Sequence, residues 1–285
     1  MSHYKLESIS GSSASVSFSG IPYADFDRTG HWAAWCISKM FEASRIISLY
    51  NGFLHFTKID GREAGMVIVK QKLKLNPKLH EMTLNSKTRL QFHLELLQVG
   101  RTSILYVIHF KDGNTKEVLG ENHLKFVRMS RKTRRAIEFP DWFYETYAPY
   151  MNSSGHPALS KEILPEIPEN AFKLVVVPNH SDTDRNNHVN QSSYIKFCMD
   201  VATHASLSGQ YIHFTEDMCL YPSCQWVISY VGESMANDEL HIYTWQQESA
   251  PEQLYFSILL KGRTNFHASA IFEKEAKEIR IVSRI

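Results

Sequence analysis

Between residues 14 and 20 apolar and polar positions alternate, which predicts a strand, and a turn-rich stretch from Pro22 to Gly30 follows. A helix is predicted from about His31, because Cys36, Met40, Ala43 and Ile47 recur at i, i+4, i+7 and i+11. Ala33, Ile37 and Ser44 flank them, so one face of the helix is apolar and belongs in a core. Alternating or apolar runs then cover 64–75, 86–98, 101–110 and 116–128, broken at Gly100 and at Asp112-Gly113, and predict antiparallel strands. The order is strand, helix, several strands.

That order returns in the second half. Phe172–Val177 reads as a strand, Pro178–His188 as a loop and Val189–Ala205 as a helix striped by Tyr194, Phe197, Cys198, Val201, Ala202 and Ala205. Strands are predicted at 224–232, 239–247, 253–261 and 265–273, and Trp226, Ile228 and Tyr230 share one face by period two. The loops ahead of the two helices also correspond: Asp25-Phe-Asp-Arg-Thr-Gly-His31 and Asp182-Thr-Asp-Arg-Asn-Asn-His188 agree at four of seven positions, at a constant offset of 157. Both lie between a strand and an amphipathic helix, which points to duplication of one unit. The expected fold is α+β: two tandem hotdog domains, each a curved antiparallel sheet wrapped around a central helix. The expected boundaries are residues 1–129 and 170–285 for the domains and 130–169 for an ordered linker. That linker region carries five prolines from Pro140 onward, a Ser-Ser-Gly stretch and the aromatics Trp142, Phe143, Tyr144, Tyr147 and Tyr150, which need a surface to pack on.

Composition narrows the function classes. With 285 residues, 43% of them hydrophobic, the chain can bury a sizeable core, and a net charge of +1 shows no global commitment to nucleic acid or an anionic membrane. No apolar run approaches the roughly 20 residues of a membrane span. Cys36, Cys198, Cys219 and Cys224 form no Cys-x-x-Cys pair, and nothing at the N-terminus reads as a secretory signal, so reduced thiols and a cytoplasmic location are expected. The 14 histidines show no metal-ligand spacing and no His-Glu-x-x-His, so no metal is expected. A Gly-x-Ser-x-Gly elbow and a Gly-x-Gly-x-x-Gly loop are also missing, which argues against the usual serine hydrolases and dinucleotide enzymes, and no cofactor is expected.

The segment Ser181-Asp-Thr-Asp-Arg-Asn-Asn-His-Val-Asn190, with Tyr194 four residues on, resembles the Asp-x-Asn-x-His-Val-Asn-Asn-x-x-Tyr signature of the acyl-acyl carrier protein thioesterases. These are double hotdog enzymes that release free fatty acids. Asp27-Arg28-Thr29, Thr133-Arg134-Arg135 and Tyr230-Val-Gly-Glu233 agree in order, so the resemblance spans roughly residues 14 to 275. Carried over by position, it places the catalytic Asp, Asn, His and Glu on Asp184, Asn186, His188 and Glu233. Ser234 stands where the family usually has Cys, which argues against a thiolate there, and Gln191 replaces its second Asn. The implied activity is hydrolysis of a fatty acyl thioester of acyl carrier protein or coenzyme A.

Those residue types suit the chemistry. A thioester needs a nucleophile at its carbonyl carbon, donors for the developing oxyanion and a route for the thiolate to leave. Backbone N–H groups at the helix start, near Val189 and Asn190, are expected to serve as oxyanion donors, with His188 or the Asn186 amide beside them. Asp184 and Glu233 are then alternative bases or nucleophiles, and activation of water is favoured over formation of an anhydride. The competing reading of Asp184 is a helix cap or Asx turn. In the first half Trp32 and Ala33 stand in place of Val189 and Asn190, so that copy is read as degenerate, its helix and sheet walling the acyl pocket. The cluster Lys125, Arg128, Arg131, Lys132, Arg134 and Arg135 is either a solvated face or a docking patch for an anionic carrier. A non-catalytic acyl-binding hotdog protein and a hotdog dehydratase are the competing functions. No nucleic-acid partner is expected, and oligomeric state is left open, a homodimer included.

Overall fold

The structure, a computed structural model, describes residues 3–83, 88–151, 159 and 164–280. Along the chain run β1 (Tyr4–Ile9), β2 (Ser13–Phe18), α1 (Ala34–Tyr50), the short α2 (Phe56–Ile59), β3 (Ala64–Leu75) and α3 (Lys78–Glu81). Then come β4 (Leu90–Val99), β5 (Ser103–Asp112), β6 (Val118–Ser130), α4 (Asp141–Thr146) and β7 (Phe172–Val176). The rest is α5 (Gln191–Leu207), β8 (Ser223–Tyr230), β9 (Leu240–Gln247), β10 (Ala250–Leu260) and β11 (Arg263–Phe272). The chain divides into two compact units: residues 1–20, 40–74 and 86–162, and residues 21–39, 75–85 and 163–285. The loop ahead of α1 and the first turn of that helix thus belong to the second unit.

In the first unit the strand order is β1-β2-β4-β5-β6-β3. Alternation places Val16, Phe92 and Phe110 in one row across β2, β4 and β5. The Phe92 and Phe110 rings stack at 4.4 Å, and Phe41 of α1 meets them edge-on at 5.2 and 5.8 Å. All four side chains are buried. Such edge and stacked contacts add to the burial of each aromatic, worth about 1.5–3 kcal/mol per side chain. β1, which periodicity did not reveal, is largely exposed and pairs with β2 at the sheet edge, so it carries no inward stripe to detect.

The aromatics after β6 find their surface. Phe139 and Phe143 stack at 4.3 Å, and the Tyr147 hydroxyl donates to the Gly11 carbonyl at 3.0 Å while lying 2.8 Å from His55 Nδ1. Tyr144 donates to the Arg101 carbonyl at 2.7 Å. The Ser-Ser-Gly stretch lies outside the described residues.

In the second unit the order is β8-β11-β10-β9-β7, with α5 against β7 and β9. Trp226 stacks on Phe256 at 5.6 Å across β11, where the buried Ala268 and Ala270 leave room for the large rings. Tyr194 of α5 lies flat on Phe266 at 4.9 Å. The helix begins at Gln191, two residues later than periodicity predicts, because the Asn190 side chain caps it by accepting from Ser192 N at 2.8 Å. It stops where Ser208 turns its hydroxyl back onto the His204 carbonyl and Gly209 takes φ +72°, a left-handed value that suits glycine. Both central helices are 17 residues long, and their ends differ by the same 157 residues as the loops before them. The repeat thus extends through the whole helix, although few helix residues match.

Candidate active site

Asp184 organises its own loop. Its Oδ1 accepts from the Asn186 N–H at 2.7 Å and from the His188 N–H at 3.4 Å, and its Oδ2 receives the Asn186 amide at 3.4 Å. The backbone closes the same turn: Asp184 N donates to His188 O at 2.8 Å and Asn187 N to Asp184 O at 3.0 Å. Asn187 sits at φ +62°, a region Asn tolerates better than most residues. This is an Asx-type turn, so the capping role of Asp184 is real. It leaves the Asn186 side chain exposed at the tip and His188 half-buried beside it.

Glu233 comes to this loop from the segment between β8 and β9. Sequence patterning runs the strand to 232, right up to it, but β8 ends at Tyr230, since the Val231 and Gly232 N–H groups both turn to the Asn265 carbonyl at 2.9 Å. Glu233 Oε2 then lies 3.4 Å from His188 Nε2, with the two side chains 34% and 28% exposed. The structure therefore brings Asp184, Asn186, His188 and Glu233 to one place.

The expected oxyanion donors need correction. Val189 N donates to the Ser234 carbonyl at 2.7 Å and Asn190 N to the Asp182 carbonyl at 2.9 Å, so neither N–H is open to a substrate. In sequence both look like free helix-start donors, but they lie ahead of α5 and stitch the loop to its neighbours. The exposed Asn186 amide and the His188 ring are the side-chain donors left at the site.

The first copy repeats the backbone bonds that close the loop. Asp27 Oδ1 accepts from Thr29 N at 2.9 Å and His31 N at 3.3 Å, Asp27 N donates to His31 O, and Ala33 N donates to Asp25 O. Gly30 holds the left-handed position at φ +82°. Yet this copy is closed. His31 is 1% exposed, with Nδ1 2.8 Å from the His80 carbonyl and Nε2 3.1 Å from the Glu278 carbonyl. Arg280 N donates to Thr29 O, and a Cβ on Gly30 would stand 2.4 Å from Arg280 O, so the segment before residue 281 lies directly on the loop.

Other groups singled out in the sequence have structural partners. Arg128 donates to the Ile59 carbonyl at 3.5 Å and to the Glu138 carbonyl, and Arg131 to Gly61 O at 2.7 Å and Asp60 Oδ1 at 3.2 Å. These two fasten the end of β6, while Lys132, Arg134 and Arg135 stand exposed in the turn that follows. Burial raises all four cysteine thiols, Cys36 to about 11, which disfavours the thiolate form.

Nothing in the sequence points to Asn265, and Ser234 stands out there only as a departure from the family's Cys, without a role. Ser234 is fully buried and its Oγ accepts from Asn265 Nδ2 at 2.6 Å, with the Tyr194 hydroxyl 3.5 Å from the same nitrogen. The available signal was Tyr194, a signature residue with no other reason to place a hydroxyl in a helix core.

No protein-family model matches the sequence, and no curated protein matches it. Solved structures do match in fold. An acyl-ACP thioesterase from Bacteroides thetaiotaomicron superposes with a TM-score of 0.69 at 14% identity, covering 92% of this chain and 98% of the other. The 12:0-ACP thioesterase from Umbellularia californica gives 0.72 at 14% identity, over 93% and 99% of the two chains. A Lactobacillus plantarum protein whose name gives it as an oleoyl thioesterase gives 0.73 at 16%, over 95% and 98%.

Proposed function

We propose that this chain, whose fold is the double hotdog of the acyl-ACP thioesterases it resembles, hydrolyses fatty acyl thioesters and releases free fatty acid. The observation that carries the reading is the meeting of His188 with Glu233 at 3.4 Å, beside the Asn186 amide, in an accessible loop. The first copy has the same loop without the access, so the reaction belongs to the second.

In this reading Glu233, steadied by His188, takes a proton from water as the oxygen attacks the thioester carbonyl carbon. The C=O electrons move onto oxygen, where the Asn186 amide donates to the oxyanion. The carbonyl then re-forms, the C–S bond breaks, and the thiolate leaves with the proton held between Glu233 and His188. The products are a fatty acid and the carrier thiol. Asp184 keeps Asn186 and His188 in place, and that positioning alone can account for several kcal/mol of barrier.

The carrier is acyl carrier protein or coenzyme A, in fatty acid biosynthesis or general lipid metabolism in the cytoplasm. Both carriers are anionic, and the exposed Lys132, Arg134 and Arg135 supply a docking charge for either. A thiol-release assay over acyl chain lengths, run with both carriers, tests the reading. Release identifies the hydrolase, while binding without release identifies an acyl-binding protein. Dehydration of a hydroxyacyl thioester without release identifies a dehydratase.

A further inference from the structure

Glu233 sits on a segment that is held at both sides by one residue. The Asn265 carbonyl accepts from Val231 N and Gly232 N, each at 2.9 Å, which ends the β8–β11 ladder one residue beyond the Tyr230–Phe266 pair. The Asn265 side chain then donates to Ser234 Oγ at 2.6 Å, beyond Glu233. The Ser234 carbonyl in turn receives Val189 N at 2.7 Å, next to His188. Asn265 is 6% exposed and Ser234 is fully buried, so these bonds form away from water, where a donor left without its acceptor is not compensated by solvent. Tyr194 closes the network from α5, its hydroxyl accepting from Asn265 Nδ2 at 3.5 Å and its acidity lowered by burial.

We infer that Asn265 is a positioning residue for the reaction, fixing Glu233 against His188 by gripping the backbone before it and the side chain after it. The inference rests on the hydrolase reading of the site. Gly232 belongs to the same device. A Cβ there would lie 2.0 Å from Asn265 Oδ1, so only glycine lets the amide pass to Ser234. Ser234 supplies the acceptor that receives the amide, which gives this residue a role that needs no nucleophilic thiol.

The test uses Asn265→Ala, which removes the amide that reaches Ser234, and Gly232→Ala, whose Cβ displaces it. Each is expected to lower kcat by about 10- to 100-fold with KM within about twofold of wild type, the scale of a misplaced catalytic group. In a Glu233→Gln background either change should add less than about threefold, since the carboxylate it positions is gone. A second readout needs no activity: Glu233→Gln shifts the NMR signals of the His188 ring, and Asn265→Ala should shift them in the same direction. Equal kcat loss in the presence and absence of Glu233, or a His188 ring that responds to Glu233→Gln but not to Asn265→Ala, overturns the positioning role. A wild-type chain without hydrolysis sinks the functional reading instead, and the ring signals still decide whether Asn265 places Glu233.

Discussion

His188 Nε2 and Glu233 Oε2 stand 3.4 Å apart, although 45 residues separate them and they reach one another from different kinds of segment, a loop before a helix and a turn after a strand. Each side chain is about one-third exposed, so the pair is wet enough to admit a substrate and close enough to act together. Being partly solvated, the contact itself contributes little to stability, and its value lies in chemistry.

Asp184 is predicted to act through hydrogen bonds more than through its charge. Its Oδ1 accepts two backbone N–H groups, which an Asn side chain can also accept. Asp184→Asn should therefore keep turnover within about tenfold of wild type, while Asp184→Ala should lose about 100-fold or more. Steady-state kinetics of the two variants check this, and an Asn variant as inactive as the Ala variant would instead make Asp184 the base.

Asp27 makes the equivalent bonds in the closed copy, to Thr29 N, Thr29 Oγ1 and His31 N. Removing it leaves these donors without an acceptor, and Asp27→Ala should destabilise the fold by about 1–2 kcal/mol. Activity per folded molecule should be unchanged. Urea unfolding paired with a turnover assay separates the two effects.

His80 predicts an acid limb in stability. Its ring stacks on His31 at 3.8 Å, and burial, reinforced by the nearby His31, Arg280 and Lys277, holds its pKa down at about 3. The unfolded chain takes up this proton near pH 6.5, while the native chain refuses it until about pH 3, so stability is lost as pH falls across that window. Thermal melts between pH 7 and pH 4 should fall less steeply for His80→Gln than for wild type. Parallel slopes would show that other groups set the acid limb.

Carrier recognition is predicted to depend on the exposed basic turn. Arg134→Glu combined with Arg135→Glu should raise KM several-fold for the carrier-bound substrate, more strongly at low salt, and leave a short synthetic thioester unaffected. Equal effects on both substrates would point to folding.

Much of this was legible in the sequence because period two and period 3.6 mark sheets and helices that bury one face. The row Val16, Phe92 and Phe110 and the stripe on α5 both follow that rule, and the Asp-x-Asn-x-His spacing brought three site residues with it. What patterning could not supply were contacts made by backbone. Val189 and Asn190 look like open helix-start donors until the Ser234 and Asp182 carbonyls are placed opposite them. The end of β8 is set by a carbonyl of β11, more than 30 residues away, so Val231 and Gly232, just ahead of Glu233, read as strand residues in one dimension and turn residues in three. The closure of the first copy was likewise hidden, because Glu278 and Arg280 cover it with main-chain atoms whose placement side-chain identity does not report.

The most direct test is thiol release from a fatty acyl thioester by wild type and by Glu233→Gln, with melting curves run alongside. The account predicts release by wild type, a fall of at least about 100-fold in the variant and an unchanged melting temperature. Full activity in Glu233→Gln, or no release by wild type at any acyl chain length with either carrier, would contradict it.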